Sequence, residues 1–259
     1  MFMTSLLSDP AFYLAAIPAV ILVGLSKGGF GGAMALLGVP MLSLVVSPVQ
    51  AAAILLPILI VMDMVSLWAW RGFMDRKTLS IMLPGAALGI AIGWATAAVV
   101  TEGHVRLIVG LVTFAFFLRW AFEKVAGHTR VVSHSRPRGT FWGGVAGFTS
   151  FVAHAGGPPY QIYALPLGRD PRVYTGTSVV FFAIVNAVKL IPYFALGQFD
   201  RSNLTASFIL IPLAPLATFA GVWVIKRMKP TVFYPFMYFM VLIVSLKLMH
   251  DGVSDLMGW

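Results

Sequence analysis

Four ionisable side chains stand in stretches that otherwise carry no charge. Lys27 lies in "GLSKGGFGG" (24–32) and Asp63 in "ILIVMDMV" (58–65); His154 lies in "AHAGGPP" (153–159) and Lys189 in "IVNAVKLIPY" (184–193). Two ammonium groups against one carboxylate leave a positive excess. The glycines beside Lys27 and His154 permit close backbone approach and positive φ, so several peptide N–H groups can converge on one point. Such a set binds a small anion, and oxygen-rich anions suit it because several acceptors can take several N–H bonds at once. The residues expected to hold it are Ser26, Lys27, Gly28, Gly29, Gly31 and Gly32 from the first stretch. Ser150, His154, Gly156 and Gly157 come from the second, with Asn186 and Lys189. Asp63 is a partner for Lys27 or a proton acceptor, and His154 is a second candidate for coupling.

Each of these residues also has a plainer role. A lysine in a span can snorkel to the interface, and glycines can serve only to let helices pack closely. His154 can be a hydrogen-bonded packing residue. Gly24-Leu25-Ser26-Lys27-Gly28 is formally G-x-S-x-G. That motif needs a strand-to-helix turn, and an apolar helical run precedes it here, so an intramembrane serine hydrolase using Ser26 and His154 is a remote alternative. No H-E-x-x-H occurs, and no carboxylate or histidine cluster has metal-ligand spacing. The chain has no cysteine, which removes thiol catalysis and disulfides. No metal and no cofactor are expected.

The surrounding composition says where these groups sit. Of 259 residues, 59% are hydrophobic and 10% charged, with mean hydropathy +0.90, against roughly 25% charged for a soluble domain. The chain reads as an all-α polytopic membrane protein forming a single membrane domain over 1–259, with the lipid bilayer as its surroundings. Its net charge of +9 suggests nucleic acid, but the basic residues are scattered between apolar spans and are better explained by topology. The first residues lack the positive segment of a cleaved signal, so the N-terminus is expected to be retained.

Six apolar segments are long enough to cross a core about 30 Å thick: 49–70, 78–100, 104–122, 173–196, 203–225 and 231–249. Four shorter ones form two Gly/Pro-broken hairpins, 11–25 with 33–46 and 140–154 with 158–167. Short broken segments at matching places in two halves point to a transporter binding site. The halves match at an offset of 125, which sets "WRGFMDRKTL" (70–79) on "ALGQFDRSNL" (195–204) and Gly31-Gly32 on Gly156-Gly157. The expected architecture is therefore an inverted internal repeat, each copy a hairpin plus three spans. Repeat one covers 10–124, a cytoplasmic linker 125–139, and repeat two 140–251.

Twelve of the eighteen Lys and Arg residues fall in 71–77, 124–140, 169–172 and 226–229, which inversion puts on one face. By the positive-inside rule that face is cytoplasmic and both termini lie outside. Trp68, Trp70, Trp120, Trp142 and Trp223 fall at the same interface, and His128 and His134 in the linker are expected to be solvated. Gly85, Gly89, Gly93, Gly143 and Gly147 are assigned to helix packing, and Pro57, Pro84 and Pro212 to kinks. Rises of 1.5 Å per residue place Lys27 and Asp63 roughly 21–24 Å below the outer face. His154 and Lys189 lie about as far above the inner one. Two pseudo-symmetric clusters follow, with Asp63 and Lys189 separated by about 14 Å. Ser178, Phe182, Asn186, Lys189 and Tyr193 recur at helical spacing and form one interior face.

The chain resembles the sulfite exporter TauE/SafE family over nearly its whole length. The resemblance rests on "GLSKGGFGGAMALLGVPML" (24–42), "AHAGGPPYQIYALPL" (153–167) and "YTGTSVVFFAIVNAVKLIPYFALGQFD" (174–200). It implies a secondary transporter of sulfite, an organosulfonate or a related small anion, with the binding tips at Ser26 to Gly32 and Ser150 to Pro158. Export is implied for most relatives and organosulfonate uptake for some. An anion channel is a further alternative. Where many relatives have three glycines in the second tip, this chain reads His154-Ala155-Gly156-Gly157-Pro158-Pro159. The implied location is a bacterial-type inner (plasma) membrane, and protons are a candidate coupling ion. Oligomeric state is not legible.

Overall fold

The computed structural model describes residues 7, 9–29, 34–97, 99–127, 131–195 and 201–258, with the side chains of 34, 36, 48, 49 and 201 excepted. Eleven α-helices follow in these residues. They are α1 (Pro10–Gly29), α2 (Gly38–Leu42, after a 3-10 turn Met34–Leu37), α3 (Pro48–Ala69), α4 (Arg76–Ala95) and α5 (Glu102–Val125). Then come α6 (Arg136–Ala153), α7 (Gly157–Ala164), α8 (Pro171–Ala195), α9 (Arg201–Leu210), α10 (Leu213–Arg227) and α11 (Pro230–Met257). Among the described residues, α1, α3, α4, α5, α8 and α11 are each long and apolar enough to cross a membrane. The chain is an all-α, multi-pass membrane protein.

Two spans differ from the sequence expectation. The first arm was expected to stop at 25, too short to cross, yet α1 runs on through Ser26, Lys27 and Gly28 to Gly29. Glycine in a helix interior costs about 1 kcal/mol, but these glycines are used for contact. A Cβ on Gly24 would sit 2.5 Å from the Ala217 Cβ. One on Gly28 would strike the Thr218 carbonyl and the backbone of Gly221 and Val222 on α10. The helix is continued by close packing that only a missing side chain allows. The expected span 203–225 is instead two helices, α9 and α10, meeting at 47° beside Pro212. Proline removes an N–H and clashes with the preceding turn. Pro57 and Pro84, by contrast, lie inside the continuous α3 and α4.

Helix pairing crosses the two halves reciprocally. The first arm α1 packs most closely on α10, and the corresponding arm α6 packs on α4. Helix α3 meets α8, and α5 meets α11. The α4–α6 seam is built on glycine as expected: Cβ atoms on Gly85 and Gly89 would strike the carbonyls of Thr140 and Gly144. Those on Gly143 and Gly147 would strike Met82 and Ala86. One buried apolar cluster runs through both halves, from Phe12 and Ile54 to Phe181 and Phe233.

His134 is not solvated. Its Nε2 lies 3.2 Å from Asp75 Oδ2 and 2.6 Å from Arg169 Nη2, and Arg169 Nε lies 3.0 Å from the same carboxylate oxygen. The Asp75 backbone N–H donates to Thr177 Oγ1 at 2.8 Å, and Tyr234 Oη donates to the Arg169 carbonyl. Loops from both halves and the linker are thus tied together. Burial pushes the Asp75 carboxyl up, but hydrogen bonds from Thr78 and the charges of Arg169 and His134 outweigh it and hold it below the ordinary carboxylate range. Burial, with Arg169 and Lys77 nearby, holds His134 below its ordinary value, against the pull of Asp75. His128 lies outside the described residues.

Candidate functional site

Both hairpin tips are built from the carboxyl ends of helices, where the last four carbonyls lack intrahelical partners. At the end of α1, Ser66 Oγ donates to the Lys27 carbonyl at 3.0 Å and Trp70 Nε1 to the Gly28 carbonyl at 2.9 Å. Trp70 is therefore buried against the tip and does not belong to an outward-facing aromatic belt. At the end of α6, the Lys189 ammonium donates to the Ser150 carbonyl at 2.8 Å. A cation is also favoured there by the helix dipole. Thr149 Oγ1 donates to the Ala155 carbonyl at 3.0 Å, and His154 follows the helix in the left-handed region at φ 52°.

Between the tips lies a cavity of about 70 Å³. At roughly 10–15 Å³ per water, that is room for a few waters or one small ion. Lys27 Nζ donates to Asp63 Oδ1 at 2.6 Å, and Asn186 Nδ2 donates to Asp63 Oδ2 at 2.6 Å. Both oxygens of a carboxylate that is 3% exposed are thereby engaged. Lys189 is 1% exposed. Its other contact is His154 Nδ1 at 3.4 Å, and among the described residues it forms no ion pair with any carboxylate. With Lys27 and Asp63 cancelling, Lys189 leaves one positive charge facing the cavity without a counter-ion.

The cavity wall is two-sided. Ser26, Lys27, Ser150, His154, Gly156, Gly157, Asn186 and Lys189 supply polar groups, and Val23, Val39, Leu55 and Leu59 supply an apolar face. Pro158 and Pro159 carry no N–H. The donors left at the start of α7 are those of Gly156 and Gly157, both at the wall.

The family model described as sulfite exporter TauE/SafE matches residues 16–248. The chain belongs to that family. Membership makes it a membrane transporter of sulfite or a related anion. Neither a curated protein nor a solved structure matches the chain.

In this TauE/SafE transporter the expected site residues mostly converge, with three differences. Gly31 and Gly32 lie outside the described residues. Ser26, Lys27, Gly28 and Gly29 are helical and not a free loop of N–H donors; Ser26, Lys27 and Gly29 reach the cavity wall, whereas Gly28 packs against Thr218, Gly221 and Val222 and is not part of it. The two expected clusters also share one cavity. Asn186 touches Asp63 and stands one turn before Lys189, so the 14 Å separation is absent. A rise of 1.5 Å per residue gives depth only for upright helices starting at common planes.

Sequence reasoning missed Thr175, which is 1% exposed at the wall with a hydroxyl that has no partner among the described residues. Thr175 precedes Ser178 by three positions and so extends the polar face already recognised on α8. The Ser26 hydroxyl is likewise without a partner, so Ser26 and His154 form no nucleophile–base contact.

Proposed function

We propose that this transporter exports a small oxyanion, sulfite or an organosulfonate, by alternating access at the cavity between the two tips. The observation that carries the reading is Lys189: an ammonium that is 1% exposed at the wall of a cavity and, among the described residues, in no ion pair with a carboxylate. A buried cation costs several kcal/mol unless paired, and an anion in the cavity is the partner the charge balance lacks. Lys27, Asn186, Ser26, Ser150, His154, Gly156 and Gly157 complete the polar wall. Asp63 holds Lys27 when the site is empty. The apolar face formed by Val23, Val39, Leu55 and Leu59 favours an organosulfonate among the candidates, because a bare inorganic anion gains nothing from it.

The reciprocal pairing of α1 with α10 and α6 with α4 supports an inverted repeat, and the bias of Lys and Arg to one set of loops supports both termini lying outside a bacterial-type inner membrane. The His134–Asp75–Arg169 cluster then lies on the cytoplasmic face. The test is Lys189→Met in proteoliposomes. Sulfite and organosulfonate counterflow should fall at least a hundredfold, and the melting temperature without anion should stay level or rise, since an unpaired buried charge is gone. Counterflow that persists at the wild-type rate overturns the assignment.

A further inference from the structure

His154 is, among the described residues, the one non-glycine residue with positive φ. Glycine takes that conformation without strain, whereas a side chain there costs of order 1 kcal/mol or more and marks a position where the side chain is needed. Both of its ring nitrogens are engaged. Nδ1 lies 3.4 Å from Lys189 Nζ, and Nε2 lies 2.9 Å from Tyr193 Oη. An ammonium can only donate, so Nδ1 is the acceptor, Nε2 carries the hydrogen, and Nε2–H donates to Tyr193. Tyr193 stands outside the cavity wall, one turn beyond Lys189 and two residues before the end of α8.

The charged groups acting on this row from other elements are few. Arg106 of α5 acts on His154 and Glu102 of α5 on Tyr193; across the cavity, Lys27 of α1 and Asp63 of α3 act on Lys189. Arg106 pairs with Glu102 at 2.5 Å and with Asp255 of α11 at 2.7 Å, and the two carboxylate side chains are 43% and 39% exposed. That cluster opens to the outside of the molecule, whereas Tyr193 is buried.

We propose that Lys189, His154 and Tyr193 form a proton wire between the anion cavity and the Glu102–Arg106–Asp255 end of the molecule, coupling proton movement to anion movement. The proposal rests on the anion-transport reading. A proton leaves Lys189 Nζ for His154 Nδ1, the Nε2 proton passes to Tyr193 Oη, and the hydroxyl proton leaves to water at the exposed end. Lys189 becomes a neutral amine. The remaining charges, Lys27 and Asp63, cancel, so the anion loses its counter-charge and is released. The reverse transfers, or a ring flip with proton uptake from cavity water, reset the wire. His154 and Lys189 touch the cavity, and Tyr193 acts only through His154 as a relay.

The test uses full-length protein in proteoliposomes with a lumenal pH dye, sulfite as probe, and protein-free liposomes subtracted. Tyr193→Phe keeps the ring and its edge contact with Phe151, centroids 6.1 Å apart, but removes the hydroxyl. Its sulfite counterflow at equal pH should stay within about twofold of wild type, and protons moved per sulfite should fall at least about tenfold. A wild-type proton-to-sulfite ratio in Tyr193→Phe overturns the wire alone. Absence of counterflow in the wild type overturns the transport reading and the wire with it. If Tyr193→Phe does not fold, the same ratio in His154→Gln decides: a tenfold fall supports the wire and an unchanged ratio refutes it.

Discussion

In the proposed site, Asp63→Asn separates the charge that would hold the empty site from the charge that would bind. The carboxylate accepts from Lys27 and Asn186, each at 2.6 Å, and the Lys27 side chain is 12% exposed. Removing one partner of such a pair leaves the other buried and uncompensated, at a cost of about 3–5 kcal/mol. The same substitution frees a second ammonium for the anion. At about 5 Å and an effective dielectric constant near 20, one unit charge contributes ~3 kcal/mol, on the order of a hundredfold in affinity. Asp63→Asn should therefore melt well below wild type without ligand, yet show a larger sulfite-induced rise in melting temperature. Counterflow should slow because release becomes limiting. Adding Lys27→Met should restore most of the lost stability, since both charges are then gone, and return the sulfite shift toward the wild-type value. Thermal unfolding in detergent across a sulfite titration, run as a double-mutant cycle, measures every quantity. Asp63→Asn that melts like wild type, or a sulfite shift no larger than wild type, would refute the charge accounting.

Gly28→Ala should destabilise the protein by about 1–3 kcal/mol, the usual range for overpacking. Its Cβ meets the Thr218 carbonyl and, at 2.7 Å, Gly221 Cα and Val222 N, backbone atoms that cannot rotate aside. An unchanged melting temperature would show that α1 and α10 do not touch there. His134, held below its ordinary value of 6.5, binds protons more readily in the unfolded chain than in the folded one. Its contribution is therefore full above that value and is lost as pH falls through the lowered one. His134→Gln should flatten the decline of melting temperature in that acid window, and a decline of undiminished slope would assign it to other groups.

How much was readable in advance follows from where the information is local. The polar face of α8 was legible because Ser178, Asn186, Lys189 and Tyr193 recur at helical spacing, and the Lys27–Asp63 contact because charge in an apolar run demands a partner. The α4–α6 glycines were assigned to packing because small residues inside a span let helices approach closely. Gly28 was assigned to the tip because a glycine that breaks a helix and one that admits a neighbouring helix look identical until that neighbour, α10, is in place. Thr175 escaped because a threonine near a span's end is ordinary until its hydroxyl proves to be without a partner. The merging of two clusters into one cavity depends on helix tilt and stagger, which rise per residue does not encode. The burial of His134 depends on a loop, around Arg169, that packs beside the linker only in three dimensions.

The reciprocal pairing of first arms has a consequence for how the molecule can come apart. Helix α1 lies against α10 and α6 lies against α4, so each half reaches across and grips the other, like two interlocked hands. A cut in the linker between residues 127 and 135 would leave fragments that each lack the groove for their own leading helix. Neither fragment then holds a finished fold, and the two become obligate subunits. By the same interlock, under the alternating access proposed above, the bodies that rock against one another would not be the two halves of the chain. Each body would be a composite, with the first arm of one half carried on the partner it grips in the other, and the joints would fall where the chain passes from arm to span.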